Sequence, residues 1–280
     1  MPGSIHLTRH ALFDVKGRVA LVTGGGSGIG LMTAQALATN GAKVYICGRT
    51  KEKLDKAAST HPGQIVPIQA DISSKQGIQS LVDTISRLES RLCILVNNAG
   101  ISGPVDPTPP DARPSADALS HRLLASSSPS DWADVYCTNV APIFFVTAAF
   151  LPLLQASSDK SQDWTATVIN VSSVSAQITS PPSPFAYDAS KAAASHVSRM
   201  LAAEVVAARL RLRINVIAPG LFSTQMTRAA MDKDDVAQIP AQRPGMPVDM
   251  ASAMLFLVCN QYINGLTLTV DGGENLSAGT

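Results

Sequence analysis

Val19-Ala20-Leu21-Val22-Thr23-Gly24-Gly25-Gly26-Ser27-Gly28-Ile29-Gly30 is the stretch from which the architecture follows. Its first five residues are apolar or β-branched and do not alternate with polar ones, as expected of a strand buried on both faces. The run passes directly into a T-G-x-x-x-G-x-G turn, and residues 30–39 then carry a helical pattern. Strand, glycine-rich turn and helix start together form a cradle for an anion such as a pyrophosphate. Glycine allows positive φ and close backbone approach, and the helix N-terminus offers free N–H groups and a favourable dipole. The spacing is not G-x-G-x-x-G, and such turns also serve as plain connections. Placement after an apolar first strand is what favours phosphate binding.

Working outward, the same alternation recurs. Strand candidates lie at residues 19–23, 43–47, 65–68, 92–97, 167–171, 213–218 and 267–270. Helical patterns lie between them at 30–39, 75–88, 130–155, 185–208 and 247–259. Repeated βα units predict an α/β fold: a doubly wound, mostly parallel sheet of Rossmann type with helices on both faces. Pro67 falls inside the third strand candidate, where it deletes a ladder hydrogen bond; that strand is expected at a sheet edge, as the 3-2-1-4-5-6 order places it. Residues 103–128, rich in Pro, Ser, Asp and Ala, are too long for an ordinary βα connection. They read as an inserted surface loop, a helical excursion or a disordered stretch. The chain is expected to be one dinucleotide-binding and catalytic domain over 1–280, with its core at about 16–273.

Composition narrows the function. Twenty-two basic and 21 acidic residues are scattered rather than clustered, which argues against a nucleic-acid partner. Cys47, Cys93, Cys137 and Cys259 are far apart, form no C-x-x-C pair and have no His at ligand spacing, so reduced thiols and no metal site are expected. Residues 1–16 build no apolar signal core, and no uncharged apolar run is read as reaching membrane-spanning length. A cytoplasmic protein with a small-molecule substrate and no membrane partner is the expectation.

The cofactor is read at the end of the second strand, Ile46-Cys47-Gly48-Arg49-Thr50. In a dinucleotide fold the ribose selector lies about 20 residues beyond the glycines. No Asp or Glu is there to take a ribose 2′-hydroxyl, whereas Arg49 suits a 2′-phosphate. The alternative is a solvated arginine opening the next helix. NADP(H) is favoured over NAD.

Tyr187-Asp188-Ala189-Ser190-Lys191 places a phenol and an ammonium on one helix face at i, i+4. A free phenol, with a pKa near 10, is a reluctant acid at neutral pH, and a nearby ammonium is expected to pull that value down. The pair alone is a weak signal. Upstream, however, Ile169-Asn170-Val171-Ser172-Ser173 puts hydroxyls at the carboxyl edge of the sheet, where open α/β proteins bind ligands. Leu95-Val96-Asn97-Asn98-Ala99-Gly100 ends the fourth strand, and Thr138-Asn139-Val140 lies in the helix that follows.

With these residues in order, the chain resembles the short-chain dehydrogenase/reductase family in its single-domain branch, from about Lys16 to Gly273. Further matches are Asp71, Arg213-x-Asn215, Pro219-Gly220, Thr224, Asn264-Gly265 and Val270-Asp271-Gly272-Gly273. The resemblance implies that Tyr187 is the acid/base and that Lys191 binds the nicotinamide ribose while lowering the tyrosine's pKa. It implies that Ser173 orients the carbonyl oxygen and that Asn139 holds a water in a proton relay. Gly24, Gly26, Ser27, Gly28, Ile29 and Gly30 would hold the pyrophosphate, Asp71 with Ile72 the adenine end, and Asn98, Ala99 and Gly100 the cleft wall. Thr224 would help fix the carboxamide, beside Pro219, Gly220 and Phe222. Members usually assemble as tetramers or dimers, here through 130–155 and 185–208. The sequence departs from the family in two places: a longer, proline-rich Ser173–Tyr187 spacing through Pro181-Pro182-Ser183-Pro184, and the 103–128 insertion. The first leaves Ser172 and Ser175 as substitutes for Ser173.

Within the family, Tyr45-Ile46-Cys47-x-Arg49, Leu151-Pro152-Leu153-Leu154 and Asn215-Val216-Ile217-Ala218-Pro219-Gly220 look like 3-oxoacyl-thioester reductases of the rhamnolipid-biosynthesis kind. An NADPH-dependent ketone reductase is the expectation. Polyol, sugar or other alcohol oxidation is the enzymatic alternative, and a cofactor-binding protein without redox chemistry is the alternative of another class.

Overall fold

The computed structural model describes residues 7–104, 113–179, 184–227 and 233–278. Pro181, Pro182 and Ser183, the middle of the 103–128 insertion and residues 228–232 lie outside the described residues. Seven strands, β1 (Val19–Thr23), β2 (Lys43–Gly48), β3 (Ile65–Gln69), β4 (Ile94–Asn97), β5 (Ala166–Val171), β6 (Leu212–Pro219) and β7 (Thr267–Val270), form one sheet in the order β3-β2-β1-β4-β5-β6-β7. All six pairings are parallel. Every residue of β1, β4, β5 and β6 is buried, which is why these strands are apolar without alternation. Pro67 sits in β3 at the sheet edge, paired on one side only with Ile46 of β2.

The helices are α1 (Arg9–Leu12), α2 (Gly28–Thr39), α3 (Lys51–Ala58), α4 (Lys75–Leu88), α5 (Ala116–Ala125), α6 (Pro129–Asn139), α7 (Ala141–Asp159), α8 (Phe185–Ala207), α9 (Lys233–Gln238), α10 (Pro247–Cys259) and α11 (Glu274–Ser277). One face of the sheet carries α2, α3 and α10, whose Ala34, Leu37, Leu54, Met250 and Leu257 pack on Ala20, Val22 and Ile46. The other carries α4, α7 and α8, whose Ile85, Phe150, Leu154 and Val205 pack on Leu21, Leu95 and Val168.

Two expectations change, and one alternative for the insertion is selected. The helix expected over 130–155 is two helices, α6 and α7, divided at Val140 where Pro142 enters the first turn of α7. α6 opens on a capping box: Ser128 Oγ accepts from Asp131 N (3.2 Å) while the Asp131 carboxylate accepts from Ser128 N (2.8 Å). The second half of the insertion is helical, α5, with none of its residues buried. Residues 135–158 in fact carry no charge, and α6 with α7 is long and apolar enough to cross a membrane by length and composition. The bend at Val140, and the burial of Ile143, Val146, Phe150 and Leu154 against the sheet, give that apolar character a place in the core.

Arg213, in β6, is buried and ties the end of α10 to the start of β5. Its guanidinium donates to Leu257 O (3.0 Å), Val258 O (2.8 Å) and Thr165 O (3.3 Å). A cation at the C-terminus of α10 complements the helix dipole. Burial lowers its pKa to about 10, so it stays charged at neutral pH. Arg213→Met strands these carbonyls in an apolar site and is expected to lower unfolding free energy by about 2 kcal/mol. Urea denaturation measures the change, and wild-type stability would contradict this role.

Candidate active site

A cleft of about 350 Å³ opens at the carboxyl edge of the sheet, where the chain turns outward in opposite directions from β1 and β4. Gly24 (φ +65°) and Gly28 (φ +54°) form its floor in left-handed conformations that other residues rarely adopt. Ser27, the N-cap of α2, makes no side-chain capping bond. The first-turn N–H groups of α2 therefore remain available to an anion lying over Gly26, Ser27 and Ile29. Gly30 lies outside the lining. A Cβ there would stand 2.4 Å from Asn98 Nδ2 and 2.5 Å from Gly24 O, so glycine lets α2 close on its own turn.

The junction of β1 and β4 is cross-braced. Thr23 Oγ1 accepts from the N–H groups of Asn98 (2.9 Å) and Ala99 (3.2 Å), and Asn98 Nδ2 donates back to Thr23 O (3.0 Å) and Gly24 O (3.2 Å). Asn98, Ala99 and Gly100 line the cleft as expected, with the Asn98 amide spent on holding the glycine turn.

At the far end, Arg49 is exposed at the cleft mouth with Thr50 and Lys53. Gln69 Nε2 donates to Arg49 O (2.9 Å) and fixes the backbone there. Asp71 and Ile72 line the adjoining wall. The Asp71 carboxylate accepts from the Ser73 N–H (3.0 Å) and hydroxyl (2.8 Å), which hold it below the usual carboxylate range, with a smaller contribution from Arg49.

At the other end, α8 brings Tyr187 and Lys191 to the cleft. Of the three serines, Ser173 is the one whose hydroxyl acts on the Tyr187 phenol, and it accepts from Ser175 N (3.2 Å). Ser172 also lines the cleft, but its hydroxyl is spent within the fold, donating to Lys191 O (2.9 Å) and sharing a bond with Ser195 (2.7 Å). Lys191 is buried, its Nζ donating to Val171 O (3.1 Å) and standing 5.6 Å from the Tyr187 ring centroid. Burial alone lowers its pKa to about 8. The expected lowering of the phenol is overturned: burial raises the Tyr187 pKa, against which the Ser173 hydroxyl acts. At 5.6 Å, with Nζ committed to Val171, the ammonium does not offset that burial.

Asn139 is the last residue of α6. Its amide donates to Ile101 O (2.9 Å) and Ser190 Oγ (3.0 Å) and accepts from Ile101 N (2.8 Å). Ser190 in turn donates to Tyr187 O (2.7 Å). The side chain thus ties the β4 exit to the first turn of α8.

Thr224 reaches the cleft, with Gly28 facing it. Pro219, Gly220 and Phe222 do not line it. Phe222 is buried, its ring filling the space a Gly245 Cβ would need. Lys53, Ile101 and Met226 line the cleft without having been read from the sequence. Only Lys53, four residues after Arg49 and in the first turn of α3, left a signal there.

The sequence of residues 18–235 matches the family model described as short chain dehydrogenase. The chain is 38% identical to the short-chain dehydrogenase/reductase PhomF of Diaporthe leptostromiformis, over 94% of this chain and 93% of the relative. It is 37% identical to the rhamnolipids biosynthesis 3-oxoacyl-[acyl-carrier-protein] reductase of Pseudomonas aeruginosa, over 95% of this chain and all of the relative. Among solved structures, the Pseudomonas aeruginosa RhlG/NADP active-site complex superposes with a TM-score of 0.79 at 37% identity, covering 94% of this chain and 98% of that one.

The buried lysine has a measurable consequence. Its pKa is about 8 in the fold against 10.5 for the free side chain. Between those values the unfolded chain holds the proton and the native chain does not, so rising pH favours the native state by up to about 1.4 kcal/mol per unit. Below that window the difference between wild type and Lys191→Met is constant; within it, wild type gains on the variant. Denaturation of both proteins near pH ~7 and pH ~9.5 reads the change. A difference independent of pH would refute the burial argument.

Proposed function

Because the chain belongs to the short-chain dehydrogenase/reductase family, we propose that it is an NADP(H)-dependent oxidoreductase that reduces a ketone to a secondary alcohol. The observation that carries this reading is one cleft with Arg49 at one mouth and Tyr187 beside Lys191 at the other. The residues present fit such a cofactor. The uncapped α2 N-terminus suits its pyrophosphate, and Arg49, with no acidic neighbour at the β2 end, suits its 2′-phosphate. When bound, NADPH supplies the hydride for the carbonyl carbon.

The chain's own groups do the rest. Tyr187 donates its phenolic proton to the carbonyl oxygen, and Ser173, whose hydroxyl acts on that phenol, holds the same oxygen. Phenolate forms as the proton leaves, and the Lys191 ammonium stabilises it while binding the nicotinamide ribose. Asn139 acts through Ser190 as a positioning residue for Tyr187. Thr224 fixes the carboxamide end. A 3-oxoacyl or related secondary-metabolite ketone is the substrate class, supported by the 3-oxoacyl reductase relatives. The whole acts as one domain in the cytoplasm, a setting supported by its unpaired cysteines. Assembly is as a homotetramer or homodimer through α6, α7 and α8, supported by exposed Phe144 and Met200.

Tyr187→Phe is expected to lower turnover by at least about 10³-fold while leaving NADPH affinity within about twofold. Steady-state rates with a β-keto thioester and fluorescence titration of NADPH check this, and retained turnover would sink the mechanism. Arg49→Ala should weaken NADPH binding by about 30-fold or more and NADH binding little. Equal losses would remove Arg49 as the selector. Following NADPH consumption against β-ketoacyl thioesters, diketones, cyclic ketones and sugars identifies the substrate class, and preference for sugars would replace it.

A further inference from the structure

The C-terminal turn and helix α11 are seated on the segment that leaves β6 for the cleft. Glu274 Oε2 accepts from Leu221 N (3.1 Å). A Cβ at Gly220 would stand 2.5 Å from that same oxygen and 2.8 Å from Asp271 Cα, so only glycine admits the turn this closely. The contact accounts for a glycine that lies outside the cleft lining. The turn grips the far end of the segment as well: Ala241 N donates to Gly272 O (3.0 Å), and Ser277 Oγ donates to Gln238 O (3.2 Å). It also reaches the strand-end side of the site, where Asn275 Nδ2 donates to Gln177 Oε1 (2.9 Å), three residues beyond Val174.

What this segment carries into the cleft is Thr224 and Met226. Thr224 faces Gly28 of the phosphate turn, where a Gly28 Cβ would meet Thr224 Cβ at 3.4 Å. The hydroxyls of Thr224 and Thr227 bond each other (3.0 Å), and Thr227 returns a bond to Phe222 O, so the turn is braced internally; outside its root it is touched at Gln225, whose Oε1 accepts from the exposed Lys53 Nζ (3.3 Å). The root is Gly220–Leu221, and the side chain holding it is Glu274. Its carboxylate is half-buried beside Asp271, a costly place for a charge unless it is bonded there.

We propose that Glu274 is a positioning residue for the cofactor cleft: by accepting the Leu221 N–H it sets Thr224 against the phosphate turn. The inference rests on reading the cleft as the NADP(H) site. It predicts an effect on cofactor affinity that is independent of the 2′-phosphate, because Thr224 faces the phosphate turn at Gly28.

The test is fluorescence titration of NADPH and NADH into wild type, Glu274→Ala, Glu274→Asp and Glu274→Gln. Glu274→Ala and Glu274→Asp, which lose or withdraw the acceptor, should each weaken both cofactors by about tenfold. Their ratio should be unchanged. Glu274→Gln, which keeps an acceptor oxygen, should stay within about twofold of wild type. If Glu274→Ala fails to fold, Glu274→Asp carries the comparison. Unchanged affinity in the folded variants, an equal loss in Glu274→Gln, or a loss confined to NADPH would overturn the inference. Failure of the wild-type protein to bind either cofactor would instead overturn the reading of the cleft itself.

Discussion

Everything at the cleft depends on how the ends of β1 and β4 are held together. These strands are neighbours in the sheet, yet the chain leaves them toward opposite sides, so a crevice must open between them. Left alone, such a gap would expose the backbone N–H groups of residues 98 and 99 and let the glycine turn drift. Thr23 and Asn98 close it by exchanging bonds across the gap, with the threonine hydroxyl accepting two N–H groups and the asparagine amide donating to two carbonyls. The brace lets Gly24 and Gly28 keep left-handed conformations without the cradle collapsing, and it presents an uncapped helix N-terminus to whatever anion enters.

A second constraint is electrostatic. Tyr187 and Lys191 are both desolvated, and burial pushes each toward its neutral form, raising the phenol and lowering the ammonium. Before reaction this keeps the proton on the tyrosine, which suits a group that must deliver one. Once the proton has left, a phenolate in an apolar wall is unfavourable without a cation nearby, and that is where the buried lysine contributes most. The arrangement therefore costs stability in the resting protein and returns it as the negative charge develops. It also explains why the ammonium is no match for burial in the resting state: its single bond goes to Val171 O, away from the ring.

Legibility in the sequence followed the range of the contacts. The strand–glycine–helix turn, the edge position of Pro67 and the pairing of Tyr187 with Lys191 are local patterns, and they emerged at the expected places. The break at Val140 was readable in principle from Pro142, but a proline in a first turn and one inside a helix look alike until the cap is known. The family resemblance puts Gly220 and Phe222 at the cleft beside Thr224, which the structure does not. Their surroundings are supplied by Glu274 and Gly245, and nothing in the local sequence announces either partner.

The serines show the same limit at closer range. Ser172, Ser173 and Ser175 are chemically equivalent and lie within four residues, so spacing to Tyr187 could not rank them. The geometry separates them because β5 ends at Val171 and gives way to a 3-10 turn over Val174–Ala176. Successive extended residues point to opposite faces. Ser172 is turned toward α8, where Ser195 and Lys191 O occupy its hydroxyl, and Ser173 is thereby turned toward the phenol. Ser175 has already entered the tight turn, and its N–H returns to Ser173. A longer loop ahead of Tyr187 does not disturb this choice, because the serine's direction is set by the strand it ends rather than by the distance to its partner.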